Sequence, residues 1–75
     1  MKTPLEKNLD TMRANKALVK NAWGIDATEY SMTYYCYNCS EVLDQLSDFK
    51  AEESESAYRF TKENIVVTIS KTLKK

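Results

Sequence analysis

The chain has 75 residues, of which 43% are hydrophobic, with one glycine, one proline and a formal net charge of zero. This length and composition predict one folded domain over residues 1–75 and exclude a linker or a disordered segment. The apolar runs are shorter than the roughly 20 residues of a membrane span. The first segment, MKTPLEKNLD, has charges where a secretory signal needs an apolar stretch. We therefore expect a cytoplasmic protein that does not enter membranes.

The first predicted element is a long N-terminal helix. Thr3-Pro4-Leu5-Glu6 has the sequence of a capping box with proline in the first helical position. An apolar stripe at helical spacing follows, and Gly24 supplies a stop just after it. The members of the stripe are Leu5, Leu9, Met12, Val19 and Trp23. The pattern predicts one helix that reaches Trp23 and buries its ring, so that Trp23→Ala would cost about 3–5 kcal/mol.

Residues 25–39 favour a strand but also fit a helix. Two sets of side chains alternate over residues 30–37, in residue types that favour β-structure. The sets are Tyr30, Met32, Tyr34 and Cys36, and Ser31, Thr33, Tyr35 and Tyr37. However, Asp26-Ala27-Thr28-Glu29 has the form of a second capping box, and Tyr30, Tyr34 and Tyr37 fit one helical face. We predict a strand with tyrosines on both faces, and a helix is the alternative.

A second helix is predicted to begin after Ser40. This serine is the expected N-cap, and Glu41 is placed favourably against the helix dipole. The predicted buried stripe consists of Val42, Leu43, Leu46 and Phe49. Residues 52–56 are rich in glutamate and serine, which is typical of a polar connection or a frayed helical end.

The last predicted element is a β-hairpin. Tyr58 and Phe60 precede a turn around residues 62–64. After the turn, Ile65, Val67 and Ile69 alternate with Val66, Thr68 and Ser70. Lys74 and Lys75 are expected to form a short mobile tail. The order helix, strand, helix, hairpin predicts a small α+β domain whose helices pack on one face of a small sheet.

The sequence offers few side chains for ordinary enzyme catalysis. It has no histidine, and its single glycine excludes a glycine-rich phosphate-binding loop. The carboxylates have helix-surface spacing, and no pair is placed for acid–base chemistry. We therefore expect no catalytic residues and no enzymatic activity.

The segment YYCYNCSE, residues 34–41, carries the two cysteines and resembles one knuckle of a zinc ribbon. That resemblance implies four metal ligands, usually thiolates or imidazoles. The chain has two cysteines, Cys36 and Cys39, and no histidine. Zinc would therefore need two copies of the chain that pool four thiolates, or carboxylates such as Glu41 and Asp44 as further ligands.

The cysteine pair also resembles the thioredoxin-like arrangement, in which Cys-x-x-Cys precedes a helix N-terminus that stabilises a thiolate. This chain lacks the βαβ unit ahead of the motif, and its only proline is Pro4. We expect Cys36 and Cys39 to be small structural residues and expect no cofactor. A zinc-linked homodimer is the first alternative, and a redox site is the second.

Four tyrosines fall within eight positions: Tyr30, Tyr34, Tyr35 and Tyr37. Exposed tyrosine offers a large, rigid contact area with little loss of side-chain entropy, as in binding hot spots. The alternative is that these rings cover sheet edges and helix seams. Residues 25–57 carry eight acidic side chains and one basic one. An acidic, tyrosine-rich surface suits a basic protein partner better than a nucleic acid.

These observations predict a small, non-catalytic protein-binding module that docks through its central region. The candidate partner-binding residues are Tyr30, Tyr34, Tyr35, Tyr37, Glu41 and Asp44. In size and style such a module is comparable with the adaptors and inhibitors that phages and mobile elements encode, which is an analogy and not a family match. The alternative function is a zinc-linked homodimer that contacts nucleic acid through the basic N- and C-terminal segments.

Overall fold

The computed structural model describes residues 2–72, and its fold class is α+β. The helices are α1 (Pro4–Ala14), α2 (Lys16–Lys20) and α3 (Ser40–Asp44). The strands are β1 (Ala22–Ala27), β2 (Met32–Cys36), β3 (Lys50–Glu53), β4 (Ala57–Lys62) and β5 (Ile65–Ser70). The longest of these helices has 11 residues, so none has the length and apolar character that crossing a membrane requires. The predicted tail, Lys74 and Lys75, lies outside the described residues.

The strands form one mixed sheet in the order β1-β2-β5-β4-β3. The β1–β2, β4–β5 and β3–β4 pairs are antiparallel, whereas β2 and β5 are parallel. β2 and β5 are neighbours in the sheet, but α3, β3 and β4 come between them along the chain.

One cluster of buried side chains includes residues from all three helices and from the sheet. Met12, Leu18 and Val42 contribute from α1, α2 and α3. The two central strands contribute alternate residues, which are Met32, Tyr34, Cys36, Val67 and Ile69. The Tyr34 hydroxyl donates to the Met12 carbonyl at 3.3 Å, so this alternation of β2 faces α1. The β2 side chains between these residues, Thr33 and Tyr35, therefore lie on the opposite face of the sheet.

We call this opposite side of the sheet the outer face. It carries Gly24 and Asp26 from β1, Thr33 and Tyr35 from β2, Val66 and Thr68 from β5, Arg59 and Thr61 from β4, and Lys50 and Glu52 from β3. Its centre is a shallow concavity of about 400 Å³, lined mainly by β2, β4 and β5.

The start of α1 confirms the predicted capping box. The Glu6 N–H donates to Thr3 Oγ1 at 3.2 Å, and the Thr3 N–H donates to the Glu6 carboxylate at 3.3 Å. Pro4 occupies the first helical position, where its missing N–H removes no helical hydrogen bond. Local sequence alone therefore determines this end of the helix.

Thr3→Ala is expected to lower the free energy of unfolding by about 1 kcal/mol, because the Glu6 N–H loses its acceptor. Urea denaturation followed by far-ultraviolet circular dichroism measures this change. Thr11→Ala is the matched control, since Thr11 lies inside α1 and its hydroxyl donates only to the Lys7 carbonyl. The control should lose nothing, because alanine is the better helix former. Equal losses at the two positions would contradict the role of the cap.

The prediction of one helix as far as Trp23 is wrong. α1 ends at Ala14, and Asn15 has φ −85° and ψ 83°, outside the helical region. The Asn15 side chain accepts from the Leu18 N–H at 3.3 Å and so caps α2. Asparagine competes with helical backbone hydrogen bonds in this way, which divides the apolar stripe. Leu18 is buried in place of Trp23, which lies in β1 and is 49% exposed.

The region after β2 agrees only in part with its prediction. The N-cap of α3 is Cys39 and not Ser40, and the helix has five residues. Val42 and Leu46 are buried and Phe49 packs against the core, but Leu43 is 43% exposed. The helix is too short to direct all four side chains of the predicted stripe toward the core.

Two predicted β elements are confirmed, and one strand was not predicted. The strand favoured around Tyr34 is β2, and the C-terminal hairpin is formed by β4 and β5 with Glu63 in the turn at φ 54°. Glu52 and Glu53, predicted in a polar connection or a helical end, lie in β3. Pairing with β4 supplies backbone hydrogen bonds that outweigh the low strand preference of lysine and glutamate.

Candidate functional site

An aromatic pair lies at the β1 edge of the sheet. The ring centroids of Trp23 and Tyr35 are 5.2 Å apart with an interplanar angle of 38°. The β1–β2 register shifts between Ala22 and Gly24, so Trp23 occupies a β-bulge. The bulge places its indole beside Tyr35, where it remains half exposed. Folding therefore leaves a large aromatic side chain with one side against the sheet and one side in solvent.

A third aromatic side chain lies at the tip of the β1–β2 hairpin. The Thr28 N–H donates to the Ser31 carbonyl at 2.8 Å and closes the turn. Thr28 Oγ1 accepts from the N–H groups of Tyr30 at 3.1 Å and Ser31 at 3.0 Å. This local network orders the backbone, while the Tyr30 side chain is 84% exposed. The tip thus presents a tyrosine on an ordered turn.

The prediction that Tyr34 binds a partner needs correction. Tyr34 is 3% exposed, and its hydroxyl hydrogen bond to Met12 lies inside the core. Burial, followed by the influence of Cys36, raises the pKa of the Tyr34 hydroxyl. Tyr34 is therefore a core residue in this structure and is unavailable for docking.

The structure does not bring the other predicted residues together. Tyr30 precedes β2, whereas Tyr37, Glu41 and Asp44 follow it, and the five residues of β2 separate the two groups by about 16 Å. The Tyr37 side chain is half-buried, and its N–H donates to the Asn21 carbonyl at 2.8 Å. Glu41 lies 3.7 Å from the Lys20 ammonium. Of the predicted set, Tyr35 packs against Trp23, and Tyr30 lies at the tip of the same hairpin.

Cys36 and Cys39 are free thiols in different environments. Cys36 is fully buried, and its Sγ lies 3.7 Å from the Leu18 carbonyl oxygen. Burial, followed by the charge of Cys39, raises the pKa of the Cys36 thiol to about 11. A reactive or metal-binding cysteine needs the opposite shift, because the thiolate is the active species.

The predicted two-copy zinc site is not favoured by this geometry. Four pooled thiolates require both cysteines at the surface, and Cys36 would have to leave the core to reach a second chain. Within residues 2–72, no three side chains of the histidine, cysteine, aspartate and glutamate types are grouped as metal ligands. The buried position of Cys36 instead fits the structural role expected from the sequence.

The exposed Trp23 is the surface feature that sequence reasoning missed. Its helical spacing from Val19 suggested a core position, but the next residue, Gly24, carried a second signal. An isolated glycine within a strand indicates a bulge or a close approach of another group. A β-carbon at Gly24 would lie 3.7 Å from the Tyr35 ring, so the ring packs directly over this position.

The site offers contact area and acceptor groups rather than reactive side chains. Asp26 and Glu29 are exposed between the two ends of the hairpin, which carry the Trp23–Tyr35 pair and Tyr30. The chain matches no protein-family model, and comparison with curated proteins and with solved structures gives no significant match.

Proposed function

We propose that this chain is a non-catalytic protein-binding module that docks a basic partner protein through its β1–β2 hairpin. We call the docking region the hairpin surface, and it consists of Trp23, Asp26, Glu29, Tyr30 and Tyr35. The observation that carries the proposal is the exposure of two aromatic side chains on one hairpin, 49% for Trp23 and 84% for Tyr30. Large aromatic groups of this kind dominate binding energy when a partner covers them.

The charges of the hairpin surface support a basic partner. Among residues 2–72, Asp26 and Glu29 have no ion-pair partner. Two acidic residues elsewhere differ, since Glu41 pairs with Lys20 and Asp48 pairs with Lys62. The carboxylates of the hairpin are therefore available to lysine or arginine side chains of a partner, where they would speed association and select its surface.

The hairpin surface revises the docking region that the sequence predicted. It keeps Tyr30 and Tyr35, omits the buried Tyr34, and leaves Tyr37 outside the main contact. Glu41 and Asp44 belong to α3, outside the β1–β2 hairpin, and would act as steering charges. The proposed activity is that of an adaptor or inhibitor, by analogy with phage accessory proteins. Two free thiols support a reducing compartment such as the cytoplasm.

Tyr30→Ala and Trp23→Ala should each weaken partner binding about tenfold or more, mainly through faster dissociation. The partner is first isolated by pull-down from the native host, and each variant is then titrated by surface plasmon resonance. Leu43→Ala is the matched control, because it removes an exposed apolar side chain from α3, away from the hairpin. Trp23→Ala should retain the fold at a loss of about 1 kcal/mol, from the contact with Tyr35.

A salt series tests the charges separately. The association rate should fall as ionic strength rises, and Asp26→Asn with Glu29→Gln should flatten that dependence. Intact binding in both aromatic variants, combined with lost binding on replacement of Lys71, Lys74 and Lys75, would refute the hairpin surface. The basic segments and a nucleic-acid partner would then account better for the function.

A further inference from the structure

The outer face carries its side chains in two rows that cross all five strands. The first row is Asp26, Thr33, Val66, Thr61 and Lys50, from β1 to β3. The second row, in the same direction, is Gly24, Tyr35, Thr68, Arg59 and Glu52. β5 is the middle strand of both rows, so each residue on one side of it has a counterpart at the same distance on the other side.

The two ends of the first row, on either side of β5, carry side chains of opposite charge. Asp26 ends the first row on β1, and Lys50 ends it on β3. In the second row the Tyr35 ring on β2 has Arg59 as its counterpart on β4. Asp26, Lys50, Arg59 and Glu52 form no ion pairs within residues 2–72. The face is therefore neutral as a whole, while its two halves are complementary to each other.

We propose that the outer face binds a second copy of this chain, with the two sheets face to face and a two-fold axis parallel to β5. Rotation about this axis exchanges the two sides of each row. It places Asp26 of one copy opposite Lys50 of the other, and Tyr35 opposite Arg59. The first contact joins opposite charges, and the second stacks a guanidinium on an aromatic ring. Each contact occurs twice, because the interface is isologous.

The centre of the outer face has the residue types of a packed sheet pair. Val66 and Thr68 would face their own counterparts across the axis, and Thr33 would face Thr61. β-Branched side chains of this size suit the separation of about 10 Å between stacked sheets. A single-stranded nucleic acid would instead require a positively charged groove. The neutral face thus favours a second copy over a nucleic acid.

The size of the outer face sets the expected strength of the dimer. Five strands about 4.8 Å apart and about six residues long cover about 450 Å² per copy, against about 800 Å² for a standard stable interface. The dimer should therefore form in the micromolar to millimolar range. This self-association goes beyond the proposed partner binding and is measured without that partner. Because the dimer covers Tyr35, it would also compete with docking at the hairpin surface.

Charge exchange across the axis tests the proposal by sedimentation equilibrium of the full chain over a wide concentration range. Asp26→Lys and Lys50→Glu each place like charges opposite one another at two symmetric positions, which should weaken the dimer about tenfold. Both residues are exposed, so both variants should fold. An equimolar mixture of the two variants should recover the wild-type dimerisation constant, because the introduced lysine then faces the introduced glutamate.

Glu29→Lys is the matched control, since it makes the same charge change on the same hairpin outside both rows and should leave dimerisation unchanged. A chain that stays monomeric throughout the concentration range would overturn the proposal. A dimer that resists Lys50→Glu, or a mixture that stays dissociated, would overturn this arrangement of the two copies. Lys50→Glu should leave partner binding at Tyr30 intact, so failure of the dimer and failure of the hairpin surface give different results.

Discussion

Val67→Ala is expected to lower the free energy of unfolding by about 2–3 kcal/mol, from lost burial of two methyl groups and the cavity left behind. The same substitution at the adjacent Val66 should cost about 1 kcal/mol or less, mostly through strand preference. Val67 is fully buried in the core cluster, whereas Val66 lies on the outer face and is only half-buried. The same substitution at two consecutive residues of β5 thus compares how much each side of the sheet contributes to stability.

Urea denaturation at low protein concentration, where the chain is monomeric, measures both variants. The loss at Val67 is a large part of the total stability of a domain of this size, so its denaturation midpoint should fall markedly. Equal losses at Val66 and Val67 would show that both faces of the sheet are packed alike. That result would contradict the one-sided core and, with it, the availability of the outer face.

The second large effect is a loss of stability in alkaline solution that depends on Cys36. Burial raises the pKa of this thiol to about 11, while a thiol in the unfolded chain titrates near about 8.5. Above pH 8.5 the unfolded state gains stability by releasing the proton, and the folded state retains it. The contribution is therefore fully present below about pH 8.5 and declines as the pH rises towards 11.

Between pH 8 and pH 10.5 the free energy of unfolding of the wild-type chain should fall about 2 kcal/mol further than that of Cys36→Ala. Urea denaturation in the presence of a reducing agent measures the difference. Cys39→Ala is the matched control, because Cys39 is only half-buried, and it should keep most of the wild-type pH dependence. An alkaline loss that is identical in wild type and Cys36→Ala would show that the thiol ionises freely in the folded protein.

Elements defined by local chemistry could be predicted from the sequence. The Thr3–Glu6 cap depends on residues three positions apart, and the β4–β5 hairpin on a strict alternation with a turn at Glu63. The end of α1 could not be predicted from periodicity, because Leu18 and Val19 continue a helical pattern beyond Asn15. The cap that Asn15 makes to α2 becomes evident only when its backbone conformation is known. β3 was missed because its stability comes from β4 and not from its own residues.

The candidate site was predictable only in part for a related reason. Alternation shows that Tyr34 and Tyr35 lie on opposite faces of β2, but it does not show which face the helices cover. That choice depends on contacts far apart in the chain, such as the one between Tyr34 and Met12. The exposed position of Trp23 depends on the bulge in β1 and on the ring of Tyr35. The two complementary rows depend on strand order, which no local pattern contains.

The central position of β5 affects how the chain reaches its native state. β5 joins β2 to β4 but follows both in chain order, so neither the β1–β2 hairpin nor the β3–β4 pair can join a common sheet before it docks. Pairing of Met32 with Ile65 requires closure of a long loop before any contact repays the lost chain entropy. Folding should therefore be slower than that of a helical protein of equal length. Until β5 docks, the inner edges of β2 and β4 expose unpaired backbone groups, which favours aggregation of fragments that lack this strand.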